Sequence, residues 1–267
     1  EKISESESHF RGERLMADPD AIKLEQLTGM ESGVELLQAN AAYRRGYTGR
    51  GQLITMADSG LDTGDTSTLH PDFENVEDGE PFGFLSDSWE DPMGHGTHVA
   101  GSIVGTGQAS MELIHGAAYD ADLFVESLWS PKRENITVPA ALKWLFEEGY
   151  DDGARIHTNS WGDASNPGAY TSLSQQADRY VWENPELLVL FAAGNGGADF
   201  DSDGRIDRGS VNPPGTAKNV LTVGASENVV ESGGIQFPLG KLAGGKRWPA
   251  EPLASDLISD DANGIAA

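Results

Sequence analysis

Two histidines lie three residues apart in the segment DPMGHGTHVAGSIVG, which spans residues 91–105. His95 and His98 could bind a metal ion as an H-x-x-H pair, for which Asp91 offers one further ligand. His95 could instead act as a general base, or it could be a surface histidine without a chemical role. The rest of the sequence is needed to choose among these interpretations.

Two further polar side chains follow apolar segments that are typical of buried strands. Asp58 ends the segment GQLITMAD, and Asn195 follows the segment ELLVLFAAG. The carboxyl ends of parallel strands meet at one edge of an α/β sheet, where functional groups gather. An Asp that orients an imidazole base, with an Asn amide that donates to an oxyanion, makes most of a hydrolase site. An ordinary turn is the alternative for Asn195, because GNGG is a turn signal.

The elements that would position these residues alternate along the chain. Apolar spacing and stop signals predict helices at residues 32–46, 96–105, 137–149 and 172–184, and strands at residues 51–58, 121–129, 154–161, 186–194 and 219–225. This alternation favours an α/β domain with a parallel sheet. Residues 231–255 are rich in Gly, Pro and basic side chains, and we expect a surface loop or an insertion there.

Composition narrows the classes of function. The chain has 43 acidic and 18 basic residues, which gives a formal net charge of −25. So acidic a surface is expected to repel nucleic acid and anionic lipid, and it suits surroundings rich in calcium or salt. The chain has no cysteine, which excludes disulfides and a thiol nucleophile. No apolar run reaches the ~18 residues of a membrane span. Together with the negative charge, this means that we expect neither a nucleic-acid nor a membrane partner.

The polar motifs occur in an order that resembles the subtilisin-like serine proteases. The motifs are ADSGLDTG, GHGTHVAGSIVG, NSWG and FAAGNGG, and the similarity runs from about residue 43 to residue 228. The segments GARIHTNSWG, NPGAYTS and PPGTAKNVLTVGASEN are further similar to the branch that contains oxidant-stable alkaline proteases. The resemblance implies a three-layer αβα domain with a mostly parallel sheet over residues 31–267, after an N-terminal extension over residues 1–30. It also implies a secreted, extracellular serine endopeptidase, and the chain begins at Glu1 as a processed protein would.

The resemblance implies a role for each of the polar residues at the sheet edge. Asp58 is the orienting acid, His95 is the general base, and Asn195 is the oxyanion donor. His98 is implied to be structural, and its position one turn inside the helix agrees with that split.

The resemblance also implies which residues bind a protein or peptide substrate. Ser160, Trp161 and Gly162 form one wall of the main specificity pocket, although Trp161 could equally be a core residue. Residues 129–133, which begin with Trp129, form a strand edge that pairs with the substrate backbone.

The family's nucleophile motif, G-T-S-M-A, is absent from residues 1–267. The nearest string, GTGQASM, follows the His95 helix and cannot serve as the nucleophile as well. The chain ends at SDDANGIAA, about where family members continue toward the serine, so the C-terminal part of the domain is expected to be missing. We expect a complementary C-terminal chain or segment to carry the catalytic Ser. The alternatives are truncation, or an inactive pseudoprotease that binds extended peptides or a protein partner.

A calcium loop is predicted in the segment DFDSDGRIDRGS, which spans residues 199–210. Asp199, Asp201, Asp203 and Asp207 stand at positions 1, 3, 5 and 9 of the loop pattern, with glycine at position 6. Ser210 stands where the bidentate Glu is usual, so the match is incomplete. A structural calcium ion is the expected cofactor, and a solvated acidic turn is the alternative.

Overall fold

The computed structural model describes residues 34, 37–112, 114–197 and 207–225, together with two short strands at Phe237–Pro238 and Leu257–Ile258. The predicted N-terminal extension lies outside the described residues. Almost all of the predicted loop at residues 231–255 also lies outside them.

A parallel sheet of six strands organises the described part of the chain. The strands of the described residues, within this sheet and outside it, are, in chain order, β1 (Leu53–Asp58), β2 (Val76–Pro81), β3 (Asp122–Ser127), β4 (Trp129–Ser130), β5 (Asn135–Ile136), β6 (Ile156–Asn159), β7 (Leu188–Ala192), β8 (Leu221–Val223), β9 (Phe237–Pro238) and β10 (Leu257–Ile258). The parallel sheet has the order β2-β3-β1-β6-β7-β8. β4 pairs with β5, and β9 with β10, in two antiparallel pairs.

Helices cover both faces of this sheet. They are α1 (Ala39–Tyr43), α2 (His95–Val104), α3 (Lys143–Asp151) and α4 (Ser172–Glu183), with 3-10 turns at Pro71–Phe73 and Gln108–Ser110. Among the described residues, no helix is both long enough and apolar enough to cross a membrane.

Alternate residues of β1 contact different cores, which defines the layers. Met56 belongs to one buried cluster with Ala100 of α2. Ala57 belongs to a second cluster with Phe146 of α3 and Ala177 of α4. Because successive side chains of a strand point to opposite faces, α2 covers one face and the pair α3–α4 covers the other. The predicted three-layer α/β fold is therefore confirmed.

The predicted elements differ from the structure mainly at their boundaries. The helix predicted at residues 137–149 begins only at Lys143, because Pro139 disfavours helical backbone at Val138 and lacks a donor N–H. The backbone N–H of Leu142 instead donates to Oε1 of Gln176 at 2.9 Å. Of the helix predicted at residues 32–46, the structure describes residues 34 and 37–46, and only Val34 and α1 are helical among them, because Gln38 before α1 has φ 57° and residues 44–46 form a turn.

β2 and the β4–β5 hairpin were not predicted. The sequence of β2 is VEDGEP, in which only Val76 and Gly79 are buried. An edge strand of this kind shows neither a continuous apolar run nor alternation, so periodicity cannot identify it.

Candidate active site

Asp58 and His95 are brought together at the carboxyl edge of the sheet. Oδ1 of Asp58, the last residue of β1, lies 2.7 Å from Nδ1 of His95, the first residue of α2. The Asp58 side chain is 3% exposed, whereas the imidazole is 44% exposed. Because a carboxylate only accepts hydrogen bonds, Nδ1 donates, and Nε2 carries the lone pair of the neutral ring. Nε2 has no hydrogen-bond partner among the described residues.

Two glycines allow β1 and α2 to approach closely enough for this contact. A Cβ on Gly96 would collide with the carbonyl oxygen of Gly60. Gly60 itself has φ +121°, in the region that favours glycine. The close approach brings His95, the neighbour of Gly96, within reach of Asp58.

The surroundings of His95 strengthen it as a base. The hydrogen bond to Asp58 raises its pKa above the ordinary 6.5, and the negative charges of Asp58 and Asp91 act in the same direction, while partial burial opposes them. A buried carboxylate behind Nδ1 also stabilises the imidazolium that forms when Nε2 accepts a proton. The pair can therefore perform general base catalysis.

His98 does not occupy the place expected of a structural residue. The buried positions of α2 are Gly96, Ala100 and Val104, which recur every four residues along one face. His98 lies half-way between two of these positions along the helix and is exposed. Among the described residues, no group of three or more acidic, His or Cys side chains could hold a metal ion, so the H-x-x-H interpretation gains no support.

Asn195 lies at the same edge of the sheet, just after β7. Gly194 has φ +100°, and a Cβ there would collide with the Asn212 side chain, so a tight turn follows the strand. The backbone of Ala193 anchors this turn, because its carbonyl accepts from the Asn212 N–H at 2.8 Å. Asn195 is exposed, and its amide makes no hydrogen bond to another described residue.

The residues predicted to form a wall of the specificity pocket follow β6. Ser160 is half-buried and Gly162 is exposed. Trp161 is 8% exposed, and its ring packs edge-on against Phe191 with centroids 5.2 Å apart. The Trp161 side chain is thus a core residue, and only its backbone is available to a peptide.

Trp129 begins the β4–β5 hairpin, which continues from the end of β3. The Leu128 N–H donates to the Asp58 carbonyl at 2.6 Å, so the hairpin starts beside the candidate acid. A groove of about 770 Å³ opens along it, and its lining residues are Phe84, Arg133, Asn135, Ile136, Thr137 and Val138. Two of these six residues, Thr137 and Val138, fall in the segment that was predicted to be a helix, residues 137–149.

The predicted calcium loop cannot be compared with the structure. Asp199, Asp201 and Asp203 lie outside the described residues, and Asp207 is the only predicted ligand inside them. Calcium binding therefore stays a prediction.

A second carboxylate–imidazole pair was missed by the sequence analysis. Oε2 of Glu126 in β3 lies 3.0 Å from Nε2 of His157 in β6. Asn159 completes the group, because its Nδ2 lies 3.0 Å from Nδ1 of His157 and donates to the Leu190 carbonyl at 3.0 Å. A single acid inside the apolar strand ADLFVESLW was the signal that could have found it.

Comparison with known families gives one match that covers most of the chain. The family described as "Subtilase family" matches residues 49–263. This match confirms the resemblance that the motifs predicted.

Curated relatives and solved structures give the same result. The serine protease/ABC transporter B family protein tagD of Dictyostelium discoideum is 33% identical over 205 residues, which is 69% of this chain and 10% of that protein. Subtilisin Savinase of Lederbergia lenta is 30% identical over 197 residues, which is 73% of this chain and 63% of the relative. The solved structure of S41 Psychrophilic Protease has a TM-score of 0.53 at 27% identity, over 70% of this chain and 57% of the other. The chain thus spans less than two thirds of the length of these proteins.

Proposed function

Because the chain belongs to the subtilase family, we propose that it supplies the acid, the base and one oxyanion donor of a serine endopeptidase that cleaves protein or peptide substrates. The observation that carries this proposal is the 2.7 Å contact between Asp58 and the exposed His95. His95 accepts the nucleophile's proton at Nε2, and Asp58 stabilises the resulting imidazolium. The Asn195 amide donates to the oxyanion of the tetrahedral intermediate.

We propose that the nucleophile is a serine outside residues 1–267, on a second chain or segment. Ser59 is engaged elsewhere, because its hydroxyl donates to Asp91 at 2.7 Å and accepts from the Gly96 N–H at 2.9 Å. Ser102 donates to the His98 carbonyl at 3.1 Å. Among the described residues, no serine hydroxyl makes a hydrogen bond to His95, which supports an external nucleophile.

An extended peptide is proposed to bind between two backbone edges. One edge is the β4–β5 hairpin with its groove of about 770 Å³, and the other is the backbone of residues 160–162 after β6. Extended substrates gain affinity by pairing with such edges and gain specificity from side-chain pockets beside them. Trp129, Ser160 and Gly162 are the predicted contacts.

A fluorophosphonate probe for activated serines tests the proposal directly. Residues 1–267 alone should neither react with the probe nor hydrolyse a protein substrate, because a hydroxyl is a strong nucleophile only beside a correctly placed base. Addition of the polypeptide that carries the G-T-S-M-A serine should restore both activities, with the label on the added polypeptide. His95→Ala in the same complex is the control, and it should fold without being labelled.

Two results would change the proposal. Labelling of a serine within residues 1–267 would show that the nucleophile belongs to this chain after all. A complex that folds but neither reacts nor hydrolyses would instead favour the pseudoprotease that binds peptides without cleaving them.

Calcium binding and a secreted location are further parts of the proposal, supported by the loop pattern at residues 199–210 and the net charge of −25. Chelation should lower the melting temperature more than a sodium control of equal ionic strength. The double substitution Asp201→Ala/Asp203→Ala should abolish that sensitivity. A double variant as sensitive as the unmodified chain would place the calcium elsewhere.

A further inference from the structure

Asp91 precedes α2 by four residues, and its buried carboxylate accepts five hydrogen bonds. Oδ1 accepts from the Ser59 hydroxyl at 2.7 Å and from the N–H groups of Met93 and Gly94 at 3.2 and 2.9 Å. Oδ2 accepts from the N–H and the hydroxyl of Thr97 at 2.8 and 2.6 Å. These donors belong to the turn that leads into α2, to the first turn of α2 itself, or to Ser59, the residue after Asp58.

The hydroxyls of Ser59 and Thr97 link Asp91 and α2 to the chain that follows β1. Since the Ser59 hydroxyl gives its hydrogen to Asp91, its oxygen is left to accept the Gly96 N–H at 2.9 Å. The Thr97 hydroxyl likewise donates to Asp91 and accepts the Asp62 N–H at 2.9 Å. Because the Asp91 carboxylate can only accept hydrogen bonds, both hydroxyls must donate to it. This sets the direction of the two cross-links between α2 and the chain that follows β1, which are the Gly96–Ser59 and Thr97–Asp62 hydrogen bonds.

These bonds replace the cap that the helix lacks at its own N-terminus. The N-cap position of α2 is Gly94, which has φ +80° and no side chain to accept the free N–H groups. Asp91 and Ser59 accept the N–H groups of Thr97 and Gly96 instead. His95 lies inside this first turn, so the same bonds fix its backbone.

We propose that Asp91 is a positioning residue that locks the first turn of α2 against the end of β1 and thereby fixes His95 relative to Asp58. The proposal rests on the proposed function, in which His95 is the base. The hydrogen bond that Nδ1 of His95 donates to Asp58 fixes one end of the ring, and the backbone held by Asp91 fixes the Cα from which the side chain extends. The charge of Asp91 adds to the effect of Asp58 in raising the pKa of His95.

Asp91→Asn is the decisive substitution. It keeps the shape but places an NH₂ group among donors, so at least one backbone N–H of Met93, Gly94 or Thr97 must lose its acceptor. In residues 1–267, NMR titration of the His95 ring should show a lower pKa than in the unmodified chain, because one nearby negative charge is lost. The Nδ1–H proton of His95 that is shared with Asp58 should broaden or disappear.

Asp178→Asn is the matched control. The Asp178 carboxylate also joins two parts of the chain, because it accepts from the N–H groups of Lys218 and Asn219 at 2.6 and 2.7 Å and from the Tyr170 hydroxyl at 2.7 Å. It shares no hydrogen bond with Asp58 or His95. This variant should leave the His95 titration and the Nδ1–H signal unchanged.

Ser59→Ala decides the matter if Asp91→Asn does not fold. It removes one cross-link and keeps the Asp91 charge, so the Nδ1–H signal should weaken with a smaller change in pKa. A folded Asp91→Asn, or in its place a folded Ser59→Ala, with an unchanged Nδ1–H signal would overturn the proposal.

Activity separates this proposal from the function on which it rests. In the complex with the serine-bearing polypeptide, Asp91→Asn should lower kcat by about 10- to 100-fold with little change in KM, because the base is misplaced and not removed. A complex without any hydrolysis by the unmodified chain would count against the proposed function. The NMR result on residues 1–267 would still stand.

Discussion

Ala57 and Asp58 are neighbours in β1 but face opposite sides of the sheet, and each side carries a carboxylate paired with an imidazole. On the α2 side, Asp58 contacts His95 at 2.7 Å. On the α3–α4 side, Glu126 contacts His157 at 3.0 Å above Ala57. The chemical groups are the same, so the difference between the two pairs must come from their surroundings.

The two imidazoles differ in exposure and in the occupation of their nitrogens. His95 is 44% exposed and uses only Nδ1 within the described residues, whereas His157 is 1% exposed. Both nitrogens of His157 are engaged, Nε2 by Glu126 and Nδ1 by the Asn159 amide. A group outside the described residues can therefore reach Nε2 of His95, whereas both nitrogens of His157 are buried and engaged.

Both carboxylates are buried, with side-chain exposures of 3% for Asp58 and 0% for Glu126. Burial raises the pKa of Glu126, the charges of Glu148 and Glu80 raise it further, and His157 opposes them. A buried pair of this kind holds three strands together, since Glu126 is in β3, Ala57 is in β1 and His157 is in β6. Pairing with a carboxylate alone therefore does not make a histidine a base, and an open Nε2 is also required.

The largest expected effect distinguishes the two histidines, because substitution of His95 should lower activity whereas substitution of His157 should lower stability. In the assembled enzyme, His95→Ala should lower kcat/KM by at least about 10³-fold with little change in melting temperature, because the exposed ring contributes little packing. His157→Ala should instead lower the free energy of unfolding by about 3–5 kcal/mol, because it leaves Glu126 buried and unpaired. Kinetics and urea denaturation of both variants measure this, and the reverse pattern would exchange the two assignments.

Substitutions of Glu126 sharpen the structural half of the comparison. Glu126→Ala should cost about 3 kcal/mol of unfolding free energy, because a cavity forms and Nε2 of His157 loses its partner. Glu126→Gln should cost less than about 1.5 kcal/mol, since an amide oxygen can accept the same hydrogen bond without a charge. Equal losses in the two variants would mean that the charge of Glu126, and not its hydrogen bond, stabilises the sheet.

Substitutions of Ala57 test whether the Glu126–His157 pair needs a small side chain at this position of β1. Ala57 lies beside Glu126 in one register and beside Asn159 in the other. A larger side chain would enter the space in which Glu126 reaches across to His157, so Ala57→Val should cost about 1–3 kcal/mol. Ala57→Gly is the control for backbone effects, and a Val variant as stable as the unmodified chain would contradict this account.

The sequence was sufficient to predict that Asp58 and His95 meet at the sheet edge, but it did not predict the interior pair. Asp58, His95 and Asn195 each follow or begin an element in a distinctive motif, and parallel topology places such residues at one edge. Glu126 and His157 are separated by 31 residues and meet only through strand register. No local pattern predicts that register, although a charge inside an apolar strand indicates that a partner must exist.

Two other differences between the predictions and the structure, the exposure of His98 and the β4–β5 hairpin, also have physical reasons. The exposed face of α2 that includes His98 is set by how the helix rotates onto the sheet, and its small, mixed residues fix that rotation only weakly. The β4–β5 hairpin has two residues in each strand, which is too short for a periodic signal. The sequence therefore did not predict the groove beside the hairpin.

The smallest expected effect is the contribution of His95 to the pH dependence of stability above pH 6.5. The folded pKa of His95 is raised above 6.5, so its contribution is complete below pH 6.5 and is lost as the pH rises through the folded value. Glu126 follows the same sign, but its contribution begins to fall from 4.5 upward. Because the His95 ring is partly exposed and screened, its share should be below about 1 kcal/mol. Urea denaturation between pH 6 and about 8.5 should show this slope in Glu126→Gln and lose it in the double variant Glu126→Gln/His95→Gln. A slope that persists in the double variant would assign it to another group and remove one of the differences between the two pairs.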